Sequence, residues 1–354
     1  MARVGRRRGR FSYHGGMRSS GRGRDVTAAW DVASPARPER LAGVSMAGFG
    51  VRSVPAPVRI VPHPAIMLAV EFGDGRPVVA DATGRERCGS LVAGPGFGFG
   101  GAALVRGENV RCVQVRLSPV LARAILGVSA AELRGAGVPL SELWGRDAAR
   151  LREQLAAAPS WPARFALVEE LIERRRRTGG YLDREVVWVW RRLLAGRGQV
   201  RIDRLAAEVG WSRKRLWSRF GAQLGLPPKR AATLIRFDHA AYHLAVGRDP
   251  ARVAAEGGYA DQSHLHREVV ACTGVTPATL ADEPFLAVDD VAWPALQRRR
   301  SAPDLAARQR VPAPAARSEG GDAASRTALS EGGDAARRTA LSEGGDAARR
   351  RVPR

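Results

Sequence analysis

Lysine is nearly missing from this chain: of its 57 lysines and arginines, only Lys214 and Lys229 are lysines. So one-sided a bias points to a GC-rich coding sequence rather than to a chemical demand for guanidinium, although the excess of positive charge is real. Cysteine is scarce too. Cys88, Cys112 and Cys272 stand far apart with no paired spacing, which speaks against a disulfide framework and against a thiolate zinc site. They read as small core residues in a reducing compartment. No apolar run approaches the roughly 20 residues that span a bilayer, and the basic N-terminus lacks the apolar stretch of a secretory signal. The expectation is a cytoplasmic protein that does not enter a membrane.

The residue constellations of catalysis are missing as well. Between residues 41 and 176 the sole histidine is His63, set in Pro62-His63-Pro64 just before an apolar strand. A turn or pocket-edge residue fits it better than a metal ligand, because a metal enzyme on a β-barrel needs clustered His and carboxylate groups. There is no Walker loop, nucleophile elbow or dinucleotide fingerprint. The glycines of GPGFGFGG from Gly94 have no strand-to-helix context and suggest a Gly-rich hairpin. The sequence therefore points away from an enzyme, with no catalytic residue, no metal site and no cofactor.

What the chain does have is charge and core. Its 354 residues suffice for two domains with tails, 45% hydrophobic composition supplies real cores, and a net charge of +22 calls for a polyanionic partner. Nucleic acid comes first and an acidic membrane surface second.

Residues 1–40 are rich in Arg, Gly and Ser and read as a disordered basic arm. A β-rich domain with a helical second half follows over 41–178. In AIMLAVEFGDGRPVVADATG the Gly73–Gly75 stretch makes a turn, and in VRCVQVRL the alternation of Val113, Val115 and Leu117 with Gln114 and Arg116 predicts a strand with one wet face. Helices then take over at VLARAIL, at SAAELRG with Ser129 and Glu132 spaced as a capping box, at RDAARLREQLAA, and at RFALVEELIERRRR, whose Phe165, Val168, Leu171 and Ile172 form a side that packs within the chain. Gly179-Gly180 marks a linker.

The stretch from Gly210 to Pro228 organises the second half. Leu216, Phe220 and Leu224 recur every four residues and form a buried stripe, which leaves Lys214, Trp217, Ser218 and Gly221 facing outward. Ser212 is placed as N-cap, and Gly225 followed by Pro228 is a stop signal. The whole pattern returns. RLAAEVGW from Arg204 reappears as RVAAEGGY from Arg252, an offset of 48, and Leu216, Phe220, Gly225 and Pro228 reappear as Leu265, Val269, Gly274 and Pro277, an offset of 49. The second copy thus carries one extra residue in its turn, and each copy is a helix-turn-helix. A long helix starting at Pro227 or Pro228, with Leu234, Ala241 and Leu244 toward the core, joins them. In the second reading helix Gln262, Ser263, His266 and Arg267 face outward; Gln suits adenine, and Arg suits guanine or phosphate.

With these motifs in place, residues 200–277 resemble the DNA-binding domain of the AraC/XylS family of bacterial transcription regulators, in the form seen in actinobacterial members. GWSRKRLWSRF, GLPPKRAATLIRF and GYADQSHLHRE followed by GVTP carry the resemblance. Ser218 stands where many relatives have Arg, and Val269 where Phe is usual. Weaker cues in VPHPAIMLAVEFGDG, GSLVAGP and VQVRLSPVLARAILGV extend the likeness to the upstream part.

The resemblance implies an α+β protein with a β-rich, cupin-like N-terminal sensor domain bearing a helical extension. An all-α double helix-turn-helix domain over 184–285 would complete the fold. The implied DNA-binding residues are Arg213, Lys214, Arg215, Trp217, Ser218, Gln262, Ser263, His266 and Arg267. The implied partners are double-stranded promoter DNA, RNA polymerase and a small-molecule effector, with nucleoid association in the cytoplasm. The alternative is a non-specific architectural DNA-binding protein. Residues 286–296, within FLAVDDVAWPAL from Phe285, read as a docking segment, and the twelve-residue SEGGDAA repeats within 297–354 as a disordered tail.

Overall fold

The computed structural model describes residues 30–293, apart from 39, 82, 101–102, 134, 136, 178–179 and 181. The repeat tail, the greater part of the basic arm and Gly179 of the linker lie outside the described residues. Trp30–Ala33, inside the stretch read as arm, is instead an edge strand, β1. It forms because Trp30 and Val32 have apolar partners beneath them, Trp30 meeting Phe49 edge-on at 5.9 Å.

The N-terminal part is one antiparallel sheet. Its strands β2 (Val44–Arg59), β3 (Ile66–Glu71), β4 (Val78–Ala80), β5 (Glu86–Cys88), β6 (Leu91–Ala93), β7 (Leu104–Leu117) and β8 (Gly137–Pro139) run in the spatial order β1-β2-β7-β3-β6-β8. Strands β4 and β5 extend it beside the first half of β7. The long β7 is shared. Its C-terminal half pairs with β3, Leu117 opposite Ile66, and its N-terminal half with β4, Leu104 opposite Ala80. The turn after β3 holds Gly75 so close to β7 that a Cβ there would lie 1.7 Å from the Glu108 carbonyl oxygen, which leaves room only for glycine.

Period-two alternation gives this sheet two different faces. On one, Val44, Met46, Ile66, Leu68, Val113, Val115 and Leu117 are buried beneath the helices α1 (Ala122–Leu126), α2 (Leu140–Trp144), α3 (Arg146–Ala157) and α4 (Trp161–Arg177). Phe165, Val168, Leu171 and Ile172 of α4 all enter this core. The opposite face carries Gln114 and Arg116, expected to be wet. They are only partly exposed, because Val288, Ala292 and Trp293, from beyond the helical region, pack on that face of the sheet.

Two further sequence expectations change in the structure. Ser129 and Glu132 do make the capping-box hydrogen bond, Ser129 N donating to Glu132 Oε1 at 2.8 Å, but Ala130–Leu133 form a turn rather than a helix. The chain has to reach β8 by Gly137, where it pairs with β6, and a longer helix would overshoot it. The Gly-rich stretch from Gly94 is a series of turns, not a hairpin. Strand β6 pairs with β3 and β8, not with β7, and Gly96, Gly98 and Gly100 all take positive φ. That loop reaches the helical part, where the Gly100 amide donates to the Cys272 carbonyl at 2.9 Å.

The helical region follows as α5 (Arg184–Ala195), α6 (Ile202–Glu208), α7 (Arg213–Leu224), α8 (Pro228–Ala245), α9 (Pro250–Glu256), α10 (Gln262–Thr273) and α11 (Pro277–Ala281), with the one-turn helices α12 (Pro284–Ala287) and α13 (Asp289–Ala292) after it. Helix α8 supplies two cores at once. Ala231, Ala232 and Ile235 pack with α5, α6 and α7, while Leu234, Phe237, Ala241 and Leu244 pack with α9, α10 and α11. No helix of the described residues is long and apolar enough to cross a membrane.

Candidate nucleic-acid interface

Helix α7 starts and stops where its sequence says. Ser212 Oγ accepts the Arg215 amide at 3.2 Å, and Gly225 closes the helix in the left-handed conformation at φ +77°. Leu216, Phe220 and Leu224 are buried, and Phe220 packs 6.4 Å from Trp190 of α5. Burying these three side chains contributes several kcal/mol, at about 2 kcal/mol for each, so the docking of α7 by this edge is firmly set. The opposite face is thereby committed to solvent.

On that face Arg213, Lys214, Arg215, Trp217 and Ser218 are all exposed, Trp217 at 40%. Their immediate surroundings differ. Arg213 pairs with Asp203 of α6 at 3.1 Å, and the Arg215 guanidinium lies 4.7 Å above the Trp211 ring. Lys214, Trp217 and Ser218 form the outer surface.

The second copy repeats the construction. Asp261 caps α10 by accepting the His264 amide at 2.6 Å, and Gly274 ends it at φ +71°. Leu265, Val269 and Cys272 are buried, so Gln262, Ser263, His266 and Arg267 are exposed together. Arg267 folds back on its own helix, Nε donating to the Ser263 carbonyl at 3.3 Å. The extra residue of the second copy falls just before the cap, between Tyr259 and Asp261. Even an exposed pair is repeated: Arg204–Glu208 and Arg252–Glu256, each at 2.7 Å and four residues apart.

Several positioning contacts had no signal in the sequence. Arg219, on α7 but turned from the outward face, makes a two-pronged ion pair with Asp183 at 2.7 and 2.8 Å, and the Asp183 amide donates to Gln223. Arg219 holds the Asp183 carboxyl below the usual carboxylate range. Helix α10 is held on α8 by Arg236, which pairs with Glu268 while the Tyr259 hydroxyl donates to Glu268 Oε1 at 2.8 Å. Neither residue type nor spacing announces these partners, since they come from separate helices.

Two helix-turn-helix units flank one shared helix, and residues 205–283 match the family described as "Helix-turn-helix domain". This is an AraC-type helix-turn-helix domain. No curated protein matches the chain in sequence. Among solved structures, an apo lysine-to-alanine variant of ToxT from Vibrio cholerae is similar at 10% identity and TM-score 0.41, covering 69% of this chain and 98% of that one. ToxT from Vibrio cholerae O395 is similar at 9% identity and TM-score 0.39, over 73% and 98%. Unsaturated fatty acid bound wild-type ToxT from the same species gives 9% identity and 0.39, over 69% and 96%.

The AraC-type domain is in contact with the sheet at several points. Arg59, at the end of β2, pairs with Glu283 at 3.1 Å and donates to the Thr273 carbonyl at the end of α10. His63 Nδ1 accepts the Ala65 amide at 2.9 Å and Nε2 lies 3.3 Å from Asp238 of α8, which makes it the pocket-edge residue its prolines suggested. The Arg230 guanidinium sits 3.1 Å over Phe99. Between the sheet's second face and these helices lies a mostly apolar cavity of about 160 Å³, walled by Phe49, Met67, Leu91, Ala241, Leu286 and Trp293 among others. Among the described residues no group of three or more His, Cys, Asp or Glu is arranged to hold a metal ion.

Proposed function

We propose that this protein is a sequence-specific regulator of transcription that sets α7 and α10 into adjacent major-groove segments of promoter DNA. The observation behind this reading is the paired exposure of Lys214, Trp217 and Ser218 on one helix and Gln262, Ser263, His266 and Arg267 on its repeat, each held outward by a buried stripe. Arg213 and Arg215 serve phosphate positioning, because their guanidinium groups lean toward α6 and Trp211 at the rim of α7. Binding then combines salt-dependent phosphate attraction, supplied by a chain of net charge +22, with groove readout. Its place is the cytoplasm, on the nucleoid, with RNA polymerase as the partner met at the promoter.

The cavity of about 160 Å³ is the site for an effector. It is similar in size to the roughly 150 Å³ apolar cavity that holds benzene, so the ligand is small and mainly apolar. To regulate, it must favour either the DNA-competent or the incompetent arrangement. A gel-shift series on the protein's own upstream region, at rising salt and with unrelated DNA as competitor, tests the reading. Preference for the upstream region that survives competition supports it. Equal affinity for both DNAs would replace it with the architectural role.

A further inference from the structure

After α11 the chain does not leave the fold. Within ten residues it passes from the second helix-turn-helix unit onto the open face of the sheet. Glu283 is tied to Arg59, Leu286 packs against the core of α8, α10 and α11, and Val288, Ala292 and Trp293 pack on Ala47, Phe49 and Cys112. Trp293 is 2% exposed, with its ring 6.3 Å from Phe49 and under the Arg116 guanidinium at 4.0 Å. Both Leu286 and Trp293 are walls of the 160 Å³ cavity. The segment thus belongs to the cavity and to the DNA-binding domain at once.

We propose that Pro284–Trp293 is a strap that closes the effector cavity, that a small uncharged apolar ligand is admitted only when Trp293 lifts, and that lifting it loosens the hold of the sheet on α10. The proposal rests on the cavity being the effector site of a DNA-binding regulator. Three features support it.

Helices α12 and α13 have four residues each, far below the length at which a helix persists alone, so tertiary contact holds the strap and it can release as a unit. The cavity walls are mostly apolar, which suits an uncharged ligand, and the Arg116 guanidinium stacked on Trp293 gives the indole a contact that is given up when it lifts. The strap also follows directly on Glu283, whose partner Arg59 donates to the carbonyl of Thr273, the last residue of α10. Displacement at Trp293 is therefore passed along ten residues of chain to a reading helix.

Cys112 provides the test, because it packs beside Trp293, is 6% exposed and lines the cavity. Full-length protein and its Trp293→Gly variant are treated with N-ethylmaleimide, and labelling is followed at each cysteine by peptide mass spectrometry. Cys272, buried in the helical core, reports on global unfolding. The expected result is at least a tenfold rise in Cys112 labelling with Cys272 still protected. Indole, which replaces the missing side chain, should restore protection, and Trp293→Phe should remain slow. Unchanged labelling at Cys112, or equal exposure of Cys272, overturns the closure.

The same variant should bind the upstream DNA at least threefold more weakly and regain affinity with indole. Unchanged or raised affinity overturns the coupling. Labelling needs no DNA, so loss of the regulator reading, seen as equal affinity for unrelated DNA, is told apart from failure of the strap.

Discussion

His243 shows how much one side chain can reveal about its surroundings. It lies buried on α8 with Nε2 3.2 Å from Nε2 of His239, one turn earlier. Burial, then the neighbouring His239 and Arg248, lower its pKa to about 4 from the usual 6.5, and Glu256 opposes them only in part. Between those two values the unfolded chain binds a proton that the folded chain refuses. Stability therefore falls as pH drops from about 6.5 to about 4, by up to about 3 kcal/mol, and the contribution of this residue levels off below. Urea unfolding at pH 7.5 and pH 4.5 should show this loss, and His243→Leu should remove most of the difference between the two pH values. A variant as pH-sensitive as the parent would shift the cause elsewhere. Arg267 is the residue-scale test of readout. If it pairs with a base, Arg267→Ala weakens specific binding by about 1 to 3 kcal/mol and relaxes preference at one position, whereas a uniform loss on all sequences makes it a phosphate contact. Binding measured on a panel of single-base variants decides between them.

At the scale of elements, α7 separates what holds a helix from what trims its angle. Phe220 is fully buried against Trp190, whereas the Arg219–Asp183 pair is half-exposed. Phe220→Ala should cost about 3 to 5 kcal/mol in thermal or urea unfolding, as cavities left by aromatic residues do. Arg219→Ala should cost far less than that, because the ion pair it removes is open to solvent and screened. A larger cost for Arg219 than for Phe220 would mean that α7 is held by its ion pair. The elements also show what could be read from the sequence. Helices α7 and α10 were legible to within a residue or two, because their stripes, caps and closing glycines are local and are stated twice by the repeat, and the start of α8 was marked by Pro227 and Pro228. The sheet was legible as strands but not in its order, since nothing local says that β7 is shared by β2, β3 and β4. SAAELRG carried a genuine capping signal and still formed only a turn, because β8 needed the chain. Arg116 looked wet because the ring it stacks on, Trp293, lies far downstream in the sequence. The outward faces of α7 and α10 were legible, whereas Arg219, Arg236 and Glu268, which fix their orientation, were not.

For the molecule as a whole, what matters is that α7 and α10 are both built onto α8. Its residues belong to two cores, Ile235 facing one and Leu234 the other, so the helix-turn-helix units cannot turn independently without opening a core. Further ties run to the N-terminal part: Arg59 to Glu283, Arg230 over Phe99, and Gly225 packed so closely on Ala130 that a Cβ would lie 2.5 Å from its carbonyl oxygen. A rigid pair of this kind should read two successive major-groove faces, about 34 Å or one DNA turn apart, without a second chain. Hydroxyl-radical footprinting at protein concentrations where a single copy is bound should show two protected stretches roughly 10 base pairs apart. The double variant Lys214→Ala, Trp217→Ala should lose protection over one stretch and keep it over the other, with weaker binding and a shallower dependence on salt, since one cation near the polyanion has gone. Loss of both stretches together would mean that α7 nucleates binding at both grooves. A single stretch in the parent would show that one unit reads DNA while the other only supports it.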